Sequence, residues 1–362
     1  MSDPARVLIV DDSRIFRAAL EEALAGQDGI KVAGSVFSGE KALEFIRATA
    51  PDLVTLDVEM PGLGGLEVLD AIQRFNLTRP NDPPVGVIMV SAFTRRGADV
   101  TVRALQAGAF DFVTKPNGPS AEANILALRQ QLVPRIRCFL ARRQRVAPAP
   151  VAVSPAPTTF SPRLVRAVLI AASTGGPQAL GVLLPELCAA VQVPIFLVQH
   201  MPAEHTRSLA GLLARQTGRQ VIEAADGALV APRTVYVAPG GRHLLLRGGA
   251  GREVVTALND LPPENGFRPS ADVLFRSAAS VLGAAAVAIV LTGMTCDRVG
   301  DGTAGLRPLK RAGAYVIAQD EATSVVWGMP GSVVAAGLAD AVLPLGQIAA
   351  AVTSLVGARG AK

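Results

Sequence analysis

Cysteine is scarce in this chain of 362 residues, which contains three. Cys138, Cys188 and Cys296 lie far apart and form no Cys-x-x-Cys pair. This spacing argues against both a disulfide framework and a cysteine metal site. It favours reduced thiols of the kind found in the cytosol.

Aromatic residues are also scarce, at 4% of the chain, although the net charge is +5. Proteins that bind single-stranded nucleic acids need aromatic side chains on which bases stack. One short segment holds five arginines: Arg135, Arg137, Arg142, Arg143 and Arg145. Such a basic run is usually a solvated helix end or a linker. We therefore expect no nucleic acid partner.

Long apolar stretches are missing as well. No run approaches the roughly 18 consecutive apolar residues that indicate a transmembrane helix. The N-terminus, MSDPARVLIV, carries Asp3 and soon reaches Asp11 and Asp12, which is unlike a secretory signal peptide. We expect a cytoplasmic protein with no membrane insertion.

A proline-rich segment divides the chain. Residues 146–163, VAPAPVAVSPAPTTFSPR, contain five prolines among small residues. A segment of this composition forms an extended, semi-rigid linker. We expect one domain over residues 1–125, a helical extension and linker over 126–163, and a second domain over 164–362.

Short β-rich runs alternate with helical periodicity on both sides of this linker. In the first domain the runs are residues 6–10, 31–36, 52–56, 85–90 and 110–115, and in the second they are residues 166–171, 194–199, 234–239, 287–292 and 314–319. This alternation predicts an α/β fold with a doubly wound parallel sheet in each domain. HLLLRGGAGREVVTA predicts a hairpin-like insertion in the second.

Polar side chains cluster at the predicted strand ends of the first domain. Asp11 and Asp12 follow the first strand, Asp57 ends the third, Ser91 ends the fourth and Lys115 ends the fifth. In a parallel α/β sheet these ends meet at one edge. Clustered carboxylates favour Mg²⁺, and a carboxylate beside it can act as a nucleophile towards phosphorus.

The motifs VLIVDDS, TLDVEMPGLGG, VSAFT and DFVTKP resemble the receiver domain of two-component response regulators, over residues 5 to about 125. The resemblance implies a flavodoxin-like (βα)5 fold that is phosphorylated with Mg²⁺ by a histidine kinase. It also implies the following roles: Asp57 as phosphoacceptor, Asp12, Asp57 and the backbone carbonyl of Glu59 as Mg²⁺ ligands with Asp11 nearby, and Ser91, Phe112 and Lys115 as switch residues.

A serine at a strand end is the candidate nucleophile of the second domain. Residues 166–177 read RAVLIAASTGGP, so Ser173 follows an apolar strand and precedes two glycines and a proline that suits a first helical turn. AASTG lacks the first glycine of the G-x-S-x-G motif. The same residues are also compatible with a helix cap or an anion-binding loop.

Three histidines are available to act as a general base. His200 directly follows the strand in VPIFLVQHMP, at the sheet edge where Ser173 is expected. We expect His205 to point to solvent early in a helix, and His243 to be a core or rim residue.

A third strand end supplies a carboxylate that orients the histidine. In AVAIVLTGMTCDRVGDGTAGL the candidates are Asp297 and Asp301. Backbone amides near Met294 and Thr174 are candidate oxyanion donors. The chain order Ser, His, Asp differs from that of α/β-hydrolases and disfavours their fold.

IAASTGGP, FLVQHMP, VYVAPGGRHLLL, NGFRPSADVLFRSAA, LTGM, DGTAGL and AQDEATSVVWGMPGSV resemble, in order, the catalytic domain of the chemotaxis response regulator protein-glutamate methylesterases. The resemblance implies hydrolysis of glutamate γ-methyl esters, and deamidation of glutamines, on methyl-accepting chemoreceptors. It implies a chemotaxis histidine kinase as phosphodonor and no cofactor at the hydrolase site. It also implies that the unphosphorylated receiver covers the hydrolase cleft.

The loop after LTGM departs from this family pattern, because it is four residues longer. Counting from the strand selects Asp297, whereas counting back from the following helix selects Asp301. We prefer Asp301, since Gly302 after it permits a tight turn. Two other functions stay open: a receiver joined to a non-catalytic binding domain, and a hydrolase or deamidase that acts on a different protein.

Overall fold

The computed structural model of the chain describes residues 4–144, 164–249, 253–295 and 300–357. Two compact units contain these residues, one within residues 1–146 and the other within residues 147–362. The predicted linker, residues 146–163, lies outside the described residues. Among the described helices, none combines the length and the apolar character needed to cross a bilayer.

The first unit is a five-stranded parallel sheet flanked by helices. Its strands are β1 (Ala5–Val10), β2 (Ile30–Val36), β3 (Leu53–Asp57), β4 (Gly86–Ser91) and β5 (Asp111–Thr114). Its helices are α1 (Arg14–Leu24), α2 (Gly39–Thr49), α3 (Gly65–Leu77), α4 (Arg95–Gln106) and α5 (Ala121–Gln144). The strand order is β2-β1-β3-β4-β5, with every pair parallel.

The apolar character of these strands follows from their position between two helical layers. β3 and β4 are buried along their whole length, because helices cover both faces of a parallel sheet. α1 begins after Ser13, whose hydroxyl accepts a hydrogen bond from the N–H of Phe16 at 3.3 Å. The predicted (βα)5 fold is confirmed.

The basic segment is not simply a solvated helix end. Within α5, Arg135 forms an ion pair with Asp111 at 3.1 Å, and Arg143 forms one with Asp52. Both arginine side chains are partly buried, with 25% and 21% of their surface exposed. The expectation was wrong for these two residues, because aspartates at the amino ends of β3 and β5 pair with them.

The second unit has nine strands and six α-helices among its described residues. The strands are β6 (Ala167–Ala172), β7 (Ile195–Gln199), β8 (Gln220–Glu223), β9 (Thr234–Val237), β10 (His243–Gly248), β11 (Val254–Asn259), β12 (Ala286–Val290), β13 (Tyr315–Gln319) and β14 (Ala341–Leu343). The helices are α6 (Gly176–Ala190), α7 (Ala203–Thr217), α8 (Ala271–Val281), α9 (Thr303–Arg311), α10 (Gly328–Ala335) and α11 (Leu345–Val356).

Seven of these strands form one parallel sheet in the order β14-β13-β12-β6-β7-β9-β8. This confirms the predicted doubly wound parallel sheet. β10 and β11 form a separate antiparallel pair, with His243 opposite Asn259, which confirms the predicted insertion. β12, β6 and β7 are adjacent and fully buried, so their carboxyl ends form one rigid edge.

Side chains between the sheet and its helices form the core of the second unit. Phe196 on β7 stacks on Tyr236 on β9, with ring centroids 5.4 Å apart. Phe275 on α8 is fully buried in the same apolar cluster. This packing fixes α8 against the sheet, and the start of α8 reaches the edge formed by β12, β6 and β7.

Candidate functional site

Three carboxylates meet at the carboxyl edge of the first sheet. Ligand oxygens of Asp11, Asp12 and Asp57 all lie within 4.8 Å of one another. Asp11 and Asp57 are buried, whereas Asp12 is exposed. The arrangement follows from the fold, since Asp11 directly follows β1, Asp57 ends β3, and these two strands are neighbours.

Lys115 joins two of these carboxylates. Its Nζ lies 2.7 Å from Asp11 Oδ2 and 2.8 Å from Asp57 Oδ2. Burial and the charge of Asp11 raise the pKa of Asp57 to about 6, despite the opposing effect of Lys115. Burial works against the charged form of Lys115, but the hydrogen bonds to Asp11 and Asp57 outweigh it and raise the lysine pKa.

The remaining predicted receiver residues surround this cluster. The Ser91 hydroxyl donates to the carbonyl of Ala92 at 3.2 Å, and Phe112 is buried on β5. The N–H of Glu59 donates to Asp57 Oδ1 at 3.4 Å. Phe16 was not predicted, and its ring lies 4.6 Å from the Lys115 ammonium. Clustered carboxylate oxygens of this kind are the donors that Mg²⁺ prefers.

The second site begins at the turn after β6. Ser173 follows Ala172, and Gly175 adopts φ 78° before α6 begins. A Cβ at Gly175 would clash with Val325, and a Cβ at Gly176 would clash with Gln199. The two glycines are therefore required by close packing as well as by the turn. Ser173 is buried, at 9% exposure.

β6 and β7 bring Ser173 and His200 to the same edge of the sheet. Ala172 pairs with Gln199, so the next residue of each strand is Ser173 or His200. The N–H of His200 donates to the carbonyl of Ala172 at 3.1 Å. The side-chain amide of Gln199 donates to the carbonyl of Ser173 at 2.9 Å, which anchors the serine turn. Gln199 was not predicted as a site residue, because nothing in its local pattern sets it apart.

Asp301 is hydrogen-bonded to His200. The distance from His200 Nε2 to Asp301 Oδ2 is 2.8 Å, and both side chains are at most 5% exposed. The competing candidate, Asp297, lies outside the described residues. Gly302, with φ 97°, follows Asp301 and is the N-cap of α9, as the preference for Asp301 assumed.

The start of α8 surrounds the Asp301 carboxylate with hydrogen-bond donors. The Ser270 hydroxyl donates to Oδ1 at 2.6 Å, and the N–H of Ala271 donates to Oδ2 at 2.5 Å. Burial alone would raise the pKa of Asp301, but His200, Ser270 and Ala271 lower it to about 2. Asp301 is therefore an anion that accepts hydrogen bonds and does not titrate near neutral pH.

A second carboxyl group lies beside Asp301. Asp272 is fully buried, and burial together with the charge of Asp301 raises its pKa to about 6. Its Oδ2 accepts a hydrogen bond from Asn265 Nδ2 at 2.7 Å. The Ser270-x-Asp272 pattern is a helix-cap signal, but it gives no sign that the cap holds an aspartate 30 residues away.

The other nitrogen of His200 is available. Nδ1 is buried and has no hydrogen-bond partner among the described residues. An anionic Asp301 can only accept a hydrogen bond from Nε2–H, and in a neutral imidazole with that tautomer Nδ1 carries the lone pair. In serine proteases the aspartate holds Nδ1 and Nε2 is the base. Here the aspartate contacts Nε2 instead.

Backbone from the loop after β12 lies against the serine. A Cβ added to Gly293 would lie 2.9 Å from the Cβ of Ser173, so this glycine permits the close approach. The next amide is that of Met294, and among the described residues none accepts a hydrogen bond from it. The carbonyl of Thr174 accepts a hydrogen bond from the Thr292 hydroxyl at 2.9 Å, which ties the two loops together.

The other two histidines lie in the interior. His205 is fully buried on α7, and burial lowers its pKa to about 4. The expectation that it points to solvent was wrong, because the first turn of α7 packs inward. His243 is also buried. Its Nε2 lies 3.1 Å from the carbonyl of Pro262, and its Nδ1 accepts from the N–H of Ser270 at 3.2 Å.

Comparison with known proteins matches both units to families. Residues 7–126 match the response regulator receiver domain, and residues 168–352 match the CheB methylesterase. The catalytic domain of the Thermotoga maritima CheB methylesterase is 40% identical in sequence, with a TM-score of 0.50. The match covers 52% of this chain and 97% of that structure.

Two relatives match along nearly the whole chain, and both are named protein-glutamate methylesterase/protein-glutamine glutaminase. The protein from Nocardioides sp. is 43% identical over 94% of this chain and 92% of its own length. The one from Trichodesmium erythraeum is 41% identical over 97% of this chain and 99% of its own length. With a receiver domain, a parallel-sheet catalytic domain and relatives of this similarity, the chain belongs to the family of protein-glutamate methylesterases/protein-glutamine glutaminases, which are carboxylic ester hydrolases and deamidases.

Proposed function

We propose that this chain hydrolyses glutamate γ-methyl esters and deamidates glutamines on methyl-accepting chemoreceptors, with Ser173 as nucleophile, His200 as general base and Asp301 as its partner. One observation carries the proposal. His200 gives Nε2 to the buried Asp301 carboxylate and keeps a buried Nδ1, without a partner among the described residues, at the edge that holds Ser173. A buried nitrogen without a partner is unfavourable unless a proton or a substrate group reaches it.

Acylation begins when Ser173 Oγ attacks the carbonyl carbon of the ester. The hydroxyl proton passes to Nδ1 of His200, and the resulting imidazolium is stabilised by the Asp301 anion at Nε2. The tetrahedral adduct then breaks its bond to the methoxy oxygen. Methanol leaves with the proton from Nδ1, and an acyl-serine remains.

Backbone amides stabilise the negative charge of the tetrahedral adduct. The N–H of Met294 is the first candidate, because Gly293 lies against Ser173 and no described residue accepts from Met294. The amide of Thr174, next to the nucleophile, is the second. Donors fixed in a backbone do not have to reorganise during the reaction, which is the reason that they stabilise the charge effectively.

Deacylation repeats the same steps with water. Nδ1 of His200 takes a proton from water, the oxygen of which attacks the acyl-serine. The adduct releases glutamate, and Ser173 Oγ regains its proton from Nδ1. With a glutamine side chain the first leaving group is ammonia, so one site supports both activities. No cofactor is needed to balance these steps.

Phosphorylation of Asp57 regulates this activity in our proposal. Asp12, Asp57 and the backbone carbonyl of Glu59, with Asp11 nearby, would hold Mg²⁺, which would neutralise charge on the incoming phosphoryl group. The Asp57 carboxylate attacks the phosphorus of the kinase phosphohistidine, and the P–N bond breaks as the histidine leaves. The Lys115 ammonium, 2.8 Å from Asp57, is placed to pair with phosphoryl oxygens. Ser91 and Phe112 respond as switch residues. The phosphodonor is a chemotaxis histidine kinase, and the reaction takes place in the cytoplasm.

We also propose the domain organisation of the chain: a receiver domain over residues 1–125, a helical extension and linker over 126–163, and the methylesterase domain over 164–362. In this arrangement the unphosphorylated receiver restrains the hydrolase. A modification shifts such an equilibrium only through its different interaction with the two states. A phosphoryl group adds about two negative charges, and these charges would interact differently with the restrained and the released states.

Release of labelled methanol tests this function. The full-length chain is incubated with a receptor cytoplasmic fragment that carries tritiated methyl esters, with Mg²⁺ and with or without an acyl phosphate as phosphodonor. We expect methanol release that the phosphodonor accelerates. Asp57→Asn is the matched control, and it should abolish the acceleration.

Two results would contradict the proposal. Turnover of a small chromogenic ester without any turnover of the methylated receptor would show a hydrolase for a different substrate. Equal rates with and without phosphodonor, in a chain shown to be phosphorylated by mass spectrometry, would remove the regulatory role of Asp57.

A further inference from the structure

An aromatic ring lies flat on the imidazole of His200. The ring centroids of Phe267 and His200 are 3.9 Å apart, and the ring planes differ by 9°. Phe267 is half-buried, so one face covers the histidine while part of the ring borders solvent. Since Asp301 holds His200 through one nitrogen only, a second constraint is needed to fix the plane of the ring.

A tight turn presents this phenylalanine. Asn265 and Gly266 have φ values of 53° and 80°. Glu264 and Phe267 exchange both backbone hydrogen bonds, at 3.1 and 3.0 Å. Two consecutive positive φ values within such a pair define a type I′ turn, for which Asn-Gly is the preferred sequence.

The turn is anchored to the helix that holds Asp301. Glu264 forms an ion pair with Arg276 on α8 at 2.6 Å. Asn265 Nδ2 lies 2.7 Å from Asp272 Oδ2 and 3.4 Å from Asp301 Oδ1. One short segment, residues 264–272, therefore contacts both the aspartate and the imidazole, so the position of each is coupled to that of the other.

We propose that Phe267 is a positioning residue for His200. It restricts rotation of the imidazole about the Nε2–Asp301 hydrogen bond, so that Nδ1 keeps a single orientation. Its π face also favours the imidazolium that forms when the serine proton is taken up. This inference rests on the proposed role of His200 as general base.

Paired substitutions test the proposal in the full-length, phosphorylated chain. Phe267→Leu keeps an apolar side chain and removes the flat face, whereas Phe267→Tyr keeps the face. We expect Phe267→Leu to lower kcat for methanol release by roughly 3- to 30-fold, with KM changed less than about twofold. Phe267→Tyr should restore kcat to within about threefold of wild type.

Three outcomes would overturn it: kcat of Phe267→Leu within twofold of wild type, equal loss in the leucine and tyrosine variants, or a loss confined to KM. Folding is checked by the fluorescence of Trp327, the only tryptophan of the chain. If the leucine variant is unfolded, kcat is compared between Phe267→Tyr and Phe267→His instead. Both of these variants keep a flat ring at position 267. Loss of more than thirtyfold in both would refute a role based on ring stacking.

A measurement without turnover separates this inference from the proposed function. With histidine labelled with ¹³C at Cε1 only, three ring signals are expected, since the chain has three histidines. The spectra are recorded in the Ser173→Ala variant, in which the ring current of Phe267 should shift the His200 signal upfield. The double variant Ser173→Ala, Phe267→Leu should lack this upfield shift. No change in that signal would overturn the stacking. Retained hydrolysis by Ser173→Ala would refute the proposed function alone.

Discussion

Replacing Asp301 by asparagine is expected to lower kcat of ester hydrolysis by about 10³ while leaving the fold intact. Asparagine has almost the same shape as aspartate but no charge, and one of its two terminal atoms donates hydrogen bonds instead of accepting them. The size of the effect depends on which way the amide group points. The surrounding donors determine that direction.

The two oxygens of Asp301 differ in the donors of their shortest hydrogen bonds. Oδ2 accepts from the N–H of Ala271 at 2.5 Å and from His200 Nε2 at 2.8 Å. Oδ1 accepts from the Ser270 hydroxyl at 2.6 Å, whereas its contacts with Asn265 Nδ2 and the N–H of Asp272 are longer, at 3.4 Å each. A backbone N–H can only donate, whereas a hydroxyl can rotate and accept. Asparagine should therefore keep its oxygen towards Ala271 and His200, and turn its NH₂ towards Ser270.

In that orientation the His200 tautomer is preserved, and only the charge is lost. Two unit charges about 4 Å apart at an effective dielectric constant of about 20 interact by about 4 kcal/mol. This corresponds to a rate factor of about 10³. The loss is smaller than the roughly 10⁴ of the serine-protease template, in which the amide imposes the wrong tautomer.

The assay is methanol release from the methylated receptor fragment by the phosphorylated full-length chain. Asp297→Asn is the matched control, because it removes the other acidic residue of the same loop, and it should stay within threefold of wild type. A loss below tenfold in Asp301→Asn would refute Asp301 as the partner of His200. An inactive Asp297→Asn variant would show that Asp297 is the partner of His200. A loss of kcat of about 10⁴ or more in Asp301→Asn would refute the argument that the His200 tautomer is preserved.

Two further predictions concern stability, with Trp327 fluorescence as the unfolding probe of the second unit. Gly175→Ala combines a positive φ with a clash against Val325 and should lower the free energy of unfolding by about 2–5 kcal/mol. Gly218→Ala is the control, with φ 62° but open space around its Cβ, and it should lower the free energy of unfolding by about 1–2 kcal/mol. Equal losses in the two variants would refute the packing argument. The pKa of His205 is about 4 in the folded chain and 6.5 for an unperturbed histidine, so the unfolded chain binds the proton first as pH falls. Between pH 6.5 and pH 4, the free energy of unfolding of the wild type should therefore fall by about 3 kcal/mol relative to that of His205→Gln. Parallel pH profiles of stability for the two proteins would contradict this.

Much of the fold was predictable because buried parallel strands are continuous apolar runs. β6, β7 and β12 are of this kind, and their boundaries differ by at most two residues from those expected. β8 and β14 were missed because they have four and three residues at the edges of the sheet. Short edge strands carry little periodicity, and neighbouring strands define them.

The choice between Asp297 and Asp301 shows the limit of sequence reasoning at the site. The spacing from β12 and the spacing to α9 led to different answers, since the loop is four residues longer than the family pattern. In the structure, Asp301 is held by Ser270 and Ala271, which are about 30 residues away in sequence. That tertiary contact leaves no local signal.

The environments of two other residues, Phe267 and His205, could not be predicted from the sequence either. Asn265-Gly266 predicts a turn, but nothing local indicates that Phe267 will stack on His200. His205 lies in a first helical turn, where solvent exposure is common, and its burial depends on the packing of α7. Residue type and spacing identified the strand-end groups, whereas their supporting contacts required the fold.

Methanol release by Ser173→Ala tests the central claim most directly. The hydroxyl is the only nucleophile in the proposed mechanism, and removal of a triad member costs several orders of magnitude. With the chain phosphorylated and its Trp327 unfolding transition unchanged, we predict a rate at least about 10⁴ below wild type. A folded Ser173→Ala variant that releases methanol within tenfold of the wild-type rate would contradict the account.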